Sequence, residues 1–163
     1  MSGCLDNMRC DCGIEWGDKR NMIASVVGGI LFFTGWWLAI DACWFYSMPG
    51  SAGYWNFWYL VPGIVGSFAM FMVNAVSNSQ VRGEAMTDGA LGTKGARMWL
   101  LMGFVLSFAA IIAAMWILIA DFIVNIDSAK PNPWPGVALF LQNFLILIGS
   151  VVYKFGRTED LWG

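Results

Sequence analysis

Four apolar runs make up most of this chain, and each is long enough to cross a bilayer. They lie at about Met22–Tyr46, Tyr59–Val76, Ala96–Phe122 and Gly136–Tyr153. A hydrocarbon core about 30 Å thick takes about 20 helical residues. The runs are too long and too continuously apolar for barrel strands, and a helix satisfies its own backbone hydrogen bonds inside lipid. Only 12% of the 163 residues are charged, against about 25% in a soluble domain. The expectation is an all-α integral membrane protein, a four-transmembrane-helix bundle over residues 22–153, between a head at 1–21 and a tail at 154–163. The first run is too long for a cleaved signal core, so it is expected to stay as an anchor.

The basic residues are segregated. Arg9, Lys19 and Arg20 precede the first run, Arg82, Lys94 and Arg97 separate the second and third, and Lys154 and Arg157 follow the fourth. Between the first and second there are none, and between the third and fourth only Lys130. Basic segments stay cytosolic during insertion, so both termini are expected in the cytosol. Trp44, Tyr46, Trp55, Trp58, Tyr59 and Trp134 cluster at the opposite boundary, where amphipathic rings favour the interface.

Two short echoes suggest a duplicated two-helix hairpin. Trp36–Asp41 ends the first run and Trp116–Asp121 the third, each reading Trp, four residues, Asp; Pro62-Gly63 opens the second and Pro135-Gly136 the fourth. Small residues such as Gly28, Gly103, Ser107 and Ala110 recur at helical spacing, as close helix contact in lipid requires. Asn74 and Asn78, and Gln142 and Asn143, are amides suited to hydrogen bonds across helices.

Asp41 and Asp121 are the acidic residues within the runs. An intramembrane carboxylate is a functional candidate, but both fall about 30 Å along their helices, near the outer boundary, where hydration removes most of the cost. An interfacial structural role, a cation or proton role and contact with a partner are all open to them. Cys4, Cys10 and Cys12 lie in the head. Cytosolic placement disfavours disulfides. A closed zinc site wants four ligands and the chain has no histidine, so the readings left for these cysteines are lipidation and inert thiols. Gly89–Gly95 fails the spacing of a phosphate loop, and Ser77–Gly95 reads as a flexible connector. No catalytic, cofactor or metal site is expected. The absence of histidine and of any nucleophile–base pair in the apolar runs argues against an enzyme, and no basic tract suggests nucleic acid.

Phe32–Trp37, Asn74–Asn78, Gln80–Gly83 and the closing Lys154–Trp162, with Trp16-Gly17 and Lys19–Asn21, occur in an order that resembles the transmembrane protein 50 family. The resemblance implies a small four-span protein of endoplasmic reticulum, Golgi or endosomal membranes, without catalytic residues. It extends to a fungal vacuolar-protein-sorting subunit that works with a four-span partner of the leptin-receptor-overlapping-transcript family. The implied function is a non-catalytic accessory or scaffold subunit in membrane traffic or in a larger membrane complex; the alternative is a small oligomeric channel or transporter component. Partner contact is assigned to Asp41, Asp121 and the tail residues Arg157, Glu159 and Asp160.

Overall fold

The computed structural model describes residues 12–48, 55–83, 92–124 and 132–157. These form α1 (Cys12–Ser47), a 3-10 turn (Phe57–Leu60), α2 (Val61–Ala75), α3 (Asn78–Arg82), α4 (Gly92–Ile117) continued by a π-helical segment (Leu118–Val124), and α5 (Trp134–Gly156). Four stretches are long and apolar enough to span a membrane: Lys19–Ser47, Phe57–Ala75, Gly92–Val124 and Trp134–Gly156. Three contain the corresponding sequence run, with ends a few residues further out, and the second begins two residues earlier than its run but stops at Ala75, one residue short, where Val76 turns extended.

Proline starts both even-numbered spans. Pro62 and Pro135 occupy the first turns of α2 and α5, where a missing N–H costs nothing and φ is already helical. The expected connector after α2 is partly ordered. Ser77 caps the short α3 by accepting from the Gln80 N–H, while the Gln80 side chain accepts from the Ser77 N–H, a reciprocal capping box. Gly83 ends α3 in the left-handed region (φ 81°), which glycine enters without steric cost.

α5 is the central helix. It packs along α1 and α2 and against α4 with its π segment, while α2 also packs along α4. The buried stripe of α1, namely Ala24, Gly28, Gly35, Ala39, Ala42 and Tyr46, faces α5 with small side chains over most of its length. Gly28 and Gly149 meet there so closely that a Cβ on either would lie 3.1–3.2 Å from the other's carbonyl oxygen. Where lipid tails are as apolar as leucine, such approach is what dispersion needs to hold helices together.

Exchanging α1 with α4 and α2 with α5 carries the α1–α5 contact onto α4–α2 and the central α2–α5 contact onto itself. The buried positions follow. Gly28, Gly35 and Ala39 answer to Gly103, Ala110 and Ala114 at one constant offset, and Pro62, Gly63, Gly66, Ala69 and Val73 to Pro135, Gly136, Leu139, Gln142 and Ile146 at another. The π segment supplies the extra residue that brings Tyr46 opposite Phe122 in this scheme. The Pro-Gly echo therefore falls at equivalent positions, whereas the Trp-to-Asp echo does not. Trp36 is half-buried and bonded to Ser67, while Trp116 points outward, in a different register. The symmetry is incomplete, because α4 and α5 pack directly and α1 and α2 hardly touch.

Candidate functional site

Three features stand out: a polar seam along α5, charged and aromatic clusters at the two ends, and a lateral cleft between α1 and α2. The seam is the buried face of α5, with Gln142, Asn143, Ser150 and Lys154 at helical spacing. Asn74 Nδ2 donates to Ser150 Oγ (3.3 Å) and to the Met70 carbonyl (2.8 Å). Asn143 Nδ2 donates to the Leu139 carbonyl (3.0 Å). Gln142 is 0% exposed, and neither its Nε2 nor its Oε1 has a hydrogen-bond partner. The seam is packed shut. Gly63 gives way to the Gln142 amide and Gly66 to the Asn143 carbonyl oxygen, so a Cβ on Gly63 would stand 2.4 Å from Gln142 Nε2. A sequence reading that sees isolated amides misses this seam; the signal was the spacing of residues 142, 143, 150 and 154 on one face of a single helix.

At the end of the bundle that carries the start of α1 and the end of α5, cations meet helix C-termini. Lys154 Nζ, buried, donates to the Val76 carbonyl at the end of α2. Arg20 Nε donates to the Gly156 carbonyl (3.1 Å) and its Nη2 to Phe155 (3.4 Å), and Arg97 Nε donates to the Val81 carbonyl of α3 (2.9 Å). Carbonyls at a helix C-terminus lack intrahelical donors and carry the negative end of the macrodipole, so cations are favoured there.

The opposite end is aromatic. Tyr59 packs edge-on against Phe122 (5.4 Å) and Trp55 (5.8 Å), beside Ala39 and Leu139. Its phenol lies near the Asp121 carboxylate. The π segment sets this pair up, by seating Phe122 in the core with Asp121 half-buried beside it. Asp41 is placed otherwise. Ala39 and Ala42 face inward while Asp41 faces out, one turn from Trp37, Trp44 and Phe45, which are 73%, 70% and 65% exposed. The two aspartates therefore do not form a common site.

The cleft has a volume of about 480 Å³ and is walled by Ser25, Gly29 and Phe32 of α1 and by Met70, Phe71 and Asn74 of α2, with Tyr153 of α5 beneath. Trp36 Nε1 donates to Ser67 Oγ (3.0 Å), joining α1 to α2 beside the cleft's inner limit. At the basic end, Arg157 Nη1 donates to Tyr153 Oη (3.1 Å), with its guanidinium 5.1 Å from that ring's centre. Glu159, Asp160, Cys4 and Cys10 lie outside the described residues, as does the side chain of Cys12, the first residue of α1. Among the described residues no three of His, Cys, Asp and Glu converge on a common point.

The profile of the Uncharacterised protein family (UPF0220) matches residues 4–162. The chain belongs to this family. It is also similar to the Transmembrane protein 50 homolog of Dictyostelium discoideum, 33% identical over 143 residues, covering 82% of this chain and 90% of that relative. No solved structure matches it. Two of the strings singled out in the sequence have structural roles. Ser77–Gly83 holds the capped α3, and Lys154–Arg157 holds the cap on α2 and the cation over Tyr153.

Proposed function

We propose that this membrane protein is a non-catalytic accessory or scaffold subunit, acting in endosomal and secretory membrane traffic or within a larger membrane complex, with its basic end and both termini in the cytosol. The observation that carries this reading is the outward face of α1. One carboxylate, Asp41, is set there among three exposed aromatic side chains on a helix that is anchored to the bundle through α5. Such a face suits a second membrane protein with a basic or hydrogen-bonding residue near the interface. The resemblance to the transmembrane protein 50 family points to a four-span partner of the leptin-receptor-overlapping-transcript type. Glu159 and Asp160 extend the contact on the cytosolic side.

The interior argues against chemistry. The α5 seam offers amides, a hydroxyl and one ammonium engaged on a carbonyl, with no carboxylate or thiol to act as base or nucleophile. Gentle extraction of the full chain followed by quantitation of stoichiometrically bound proteins tests the proposal. One membrane partner should be recovered, and replacing Asp41 and Trp44 by alanine should reduce that recovery severalfold while insertion stays intact. Recovery of a homo-oligomer alone, together with ion flux through the purified protein in liposomes, would favour the channel or transporter alternative instead.

A further inference from the structure

We infer that the α1–α2 cleft is a binding site for one glycerophospholipid of the leaflet at the basic end, with an acyl chain between the helices and the phosphate on Arg157. This goes beyond the accessory role and does not depend on it.

The cleft's length identifies the occupant. On α2 it runs from Ser67 to Ala75, about 12 Å at 1.5 Å per residue. That is most of one leaflet's share, about 15 Å, of the hydrocarbon core. A transmembrane helix from another protein would want a groove through the full thickness. Here Trp36 and Ser67 tie α1 to α2 near mid-span, and their hydrogen bond marks where the cleft stops. A volume of about 480 Å³ falls within the roughly 300–1,000 Å³ of small-ligand sites, and is well short of a spanning helix about 10 Å across.

The walls fit a chain below and a polar group above. Phe32, Met70 and Phe71 line the deeper part, and Gly29 leaves it open, since a Cβ there would meet nothing within 4 Å. Towards the basic end the lining becomes Ser25, Asn74 and Tyr153, groups that suit ester and glycerol oxygens. Arg157 stands at that end. It is exposed, and Tyr153 holds it by a hydrogen bond and by its ring. A guanidinium has five N–H donors in a planar fork that matches phosphate, and Tyr153 accepts one of them. Arg20, by contrast, is committed to the carbonyls of α5.

The test uses the purified full-length protein in mild detergent, with native mass spectrometry reading retained lipid after incubation with phosphatidic acid or with diacylglycerol of the same chains. The wild type should retain phosphatidic acid at least fivefold better than diacylglycerol, at one per chain. Arg157→Gln should bring the two within about twofold, the guanidinium–phosphate contact being lost. Gly29→Leu, whose Cβ meets nothing within 4 Å and whose longer side chain enters the cleft, should abolish retention of both. A photoreactive benzoylphenylalanine at Phe71 should label phospholipid in native membranes. Equal retention of the two lipids by the wild type, undiminished retention by Gly29→Leu, or capture of a polypeptide at position 71 in place of lipid would each overturn the inference.

Discussion

Gly63→Ala would bring the α2–α5 seam into conflict at a single group. The new Cβ would stand 2.4 Å from Gln142 Nε2 and 2.7 Å from Cδ and Oε1, distances at which something must move. The amide has little freedom to swing aside, because Gln142 is fully buried and Gly35 of α1 closes on its backbone. Overpacking of this kind costs about 1–3 kcal/mol. Gln142→Ala removes the obstacle and, with it, a buried amide lacking partners, whose desolvation costs about 1–3 kcal/mol. The cavity left behind has a cost of similar size and opposite sign, so this variant should lie within about 1 kcal/mol of wild type. In the double variant the methyl enters space the amide has vacated. The cycle should therefore show about 1–2 kcal/mol of favourable coupling. SDS titration of the purified protein in mixed micelles, followed by tryptophan fluorescence, measures each corner. Additive single effects, or a Gly63→Ala variant as stable as wild type, would refute the reasoning that glycine is required there to seat the amide.

The remaining predictions use the same titration or simple labelling. Lys154→Met keeps the apolar stem but removes the ammonium from the Val76 carbonyl; a loss of about 1–2 kcal/mol is expected, and an unshifted midpoint would remove the capping role. Tyr59→Phe and Asp121→Asn should be coupled by about 0.5–1 kcal/mol through the closeness of phenol and carboxylate, and additivity would show that the pair contributes nothing. Asp41→Asn should change stability by less than about 0.5 kcal/mol, as expected of an exposed position, yet lower partner recovery; a large loss of stability would argue for a structural role instead. In a cysteine-free background, Ser47→Cys and Ser79→Cys should react with an impermeant thiol reagent from opposite sides of the membrane, position 79 from the cytosol. Labelling from one side only would overturn the proposed orientation.

The four spans were legible because bilayer thickness fixes how long an apolar run must be, and no packing detail is needed to read it. The Pro-Gly starts of α2 and α5 were legible because proline at a first helical turn has a backbone reason to be there. The inward faces were harder. In water the buried face of a helix is its apolar one, but in lipid both faces are apolar, and the sorting signal shifts to small and polar residues. Gln142, Asn143, Ser150 and Lys154 carry that signal on α5, and only when read as one face. The capping box of Ser77 and Gln80 was open to reading from its spacing alone. The π segment was not. Nothing local in Leu118–Val124 announces an extra residue, and it takes the packing of Phe122 against Tyr59 and Leu139 to seat it. The outward placement of Asp41 followed from the register of Ala39 and Ala42, while the half-buried placement of Asp121 beside Phe122 depended on that same π segment.

The cleft follows from how α5 holds its neighbours. α5 is the most buried of the four spans and offers each neighbour a different surface. Toward α1 it presents Gly149 and the Gln142 backbone, which let Gly28 and Gly35 approach. Toward α2 it presents the Gln142 and Asn143 side chains, which Gly63 and Gly66 admit. Two helices fixed to a third in this way need not touch each other, and α1 and α2 hardly do. Trp36 reaches across to Ser67 at one level. Towards the basic end the facing residues, Ser25 and Gly29, are too small to close the gap, and Tyr153 fills only its base. On the other flank of α2, α4 packs directly: a Cβ on Gly103 would stand 2.8 Å from Val73 Cγ2 and 3.2 Å from its backbone nitrogen. The open side of α2 is thus the one where the pseudo-symmetry of the two hairpins breaks. Direct packing between α4 and α5 has only a marginal counterpart between α1 and α2. A duplicated scaffold would yield two similar flanks unless one were held open, and the residues holding this one open are glycine and serine on one wall and an arginine-bearing tyrosine at its base.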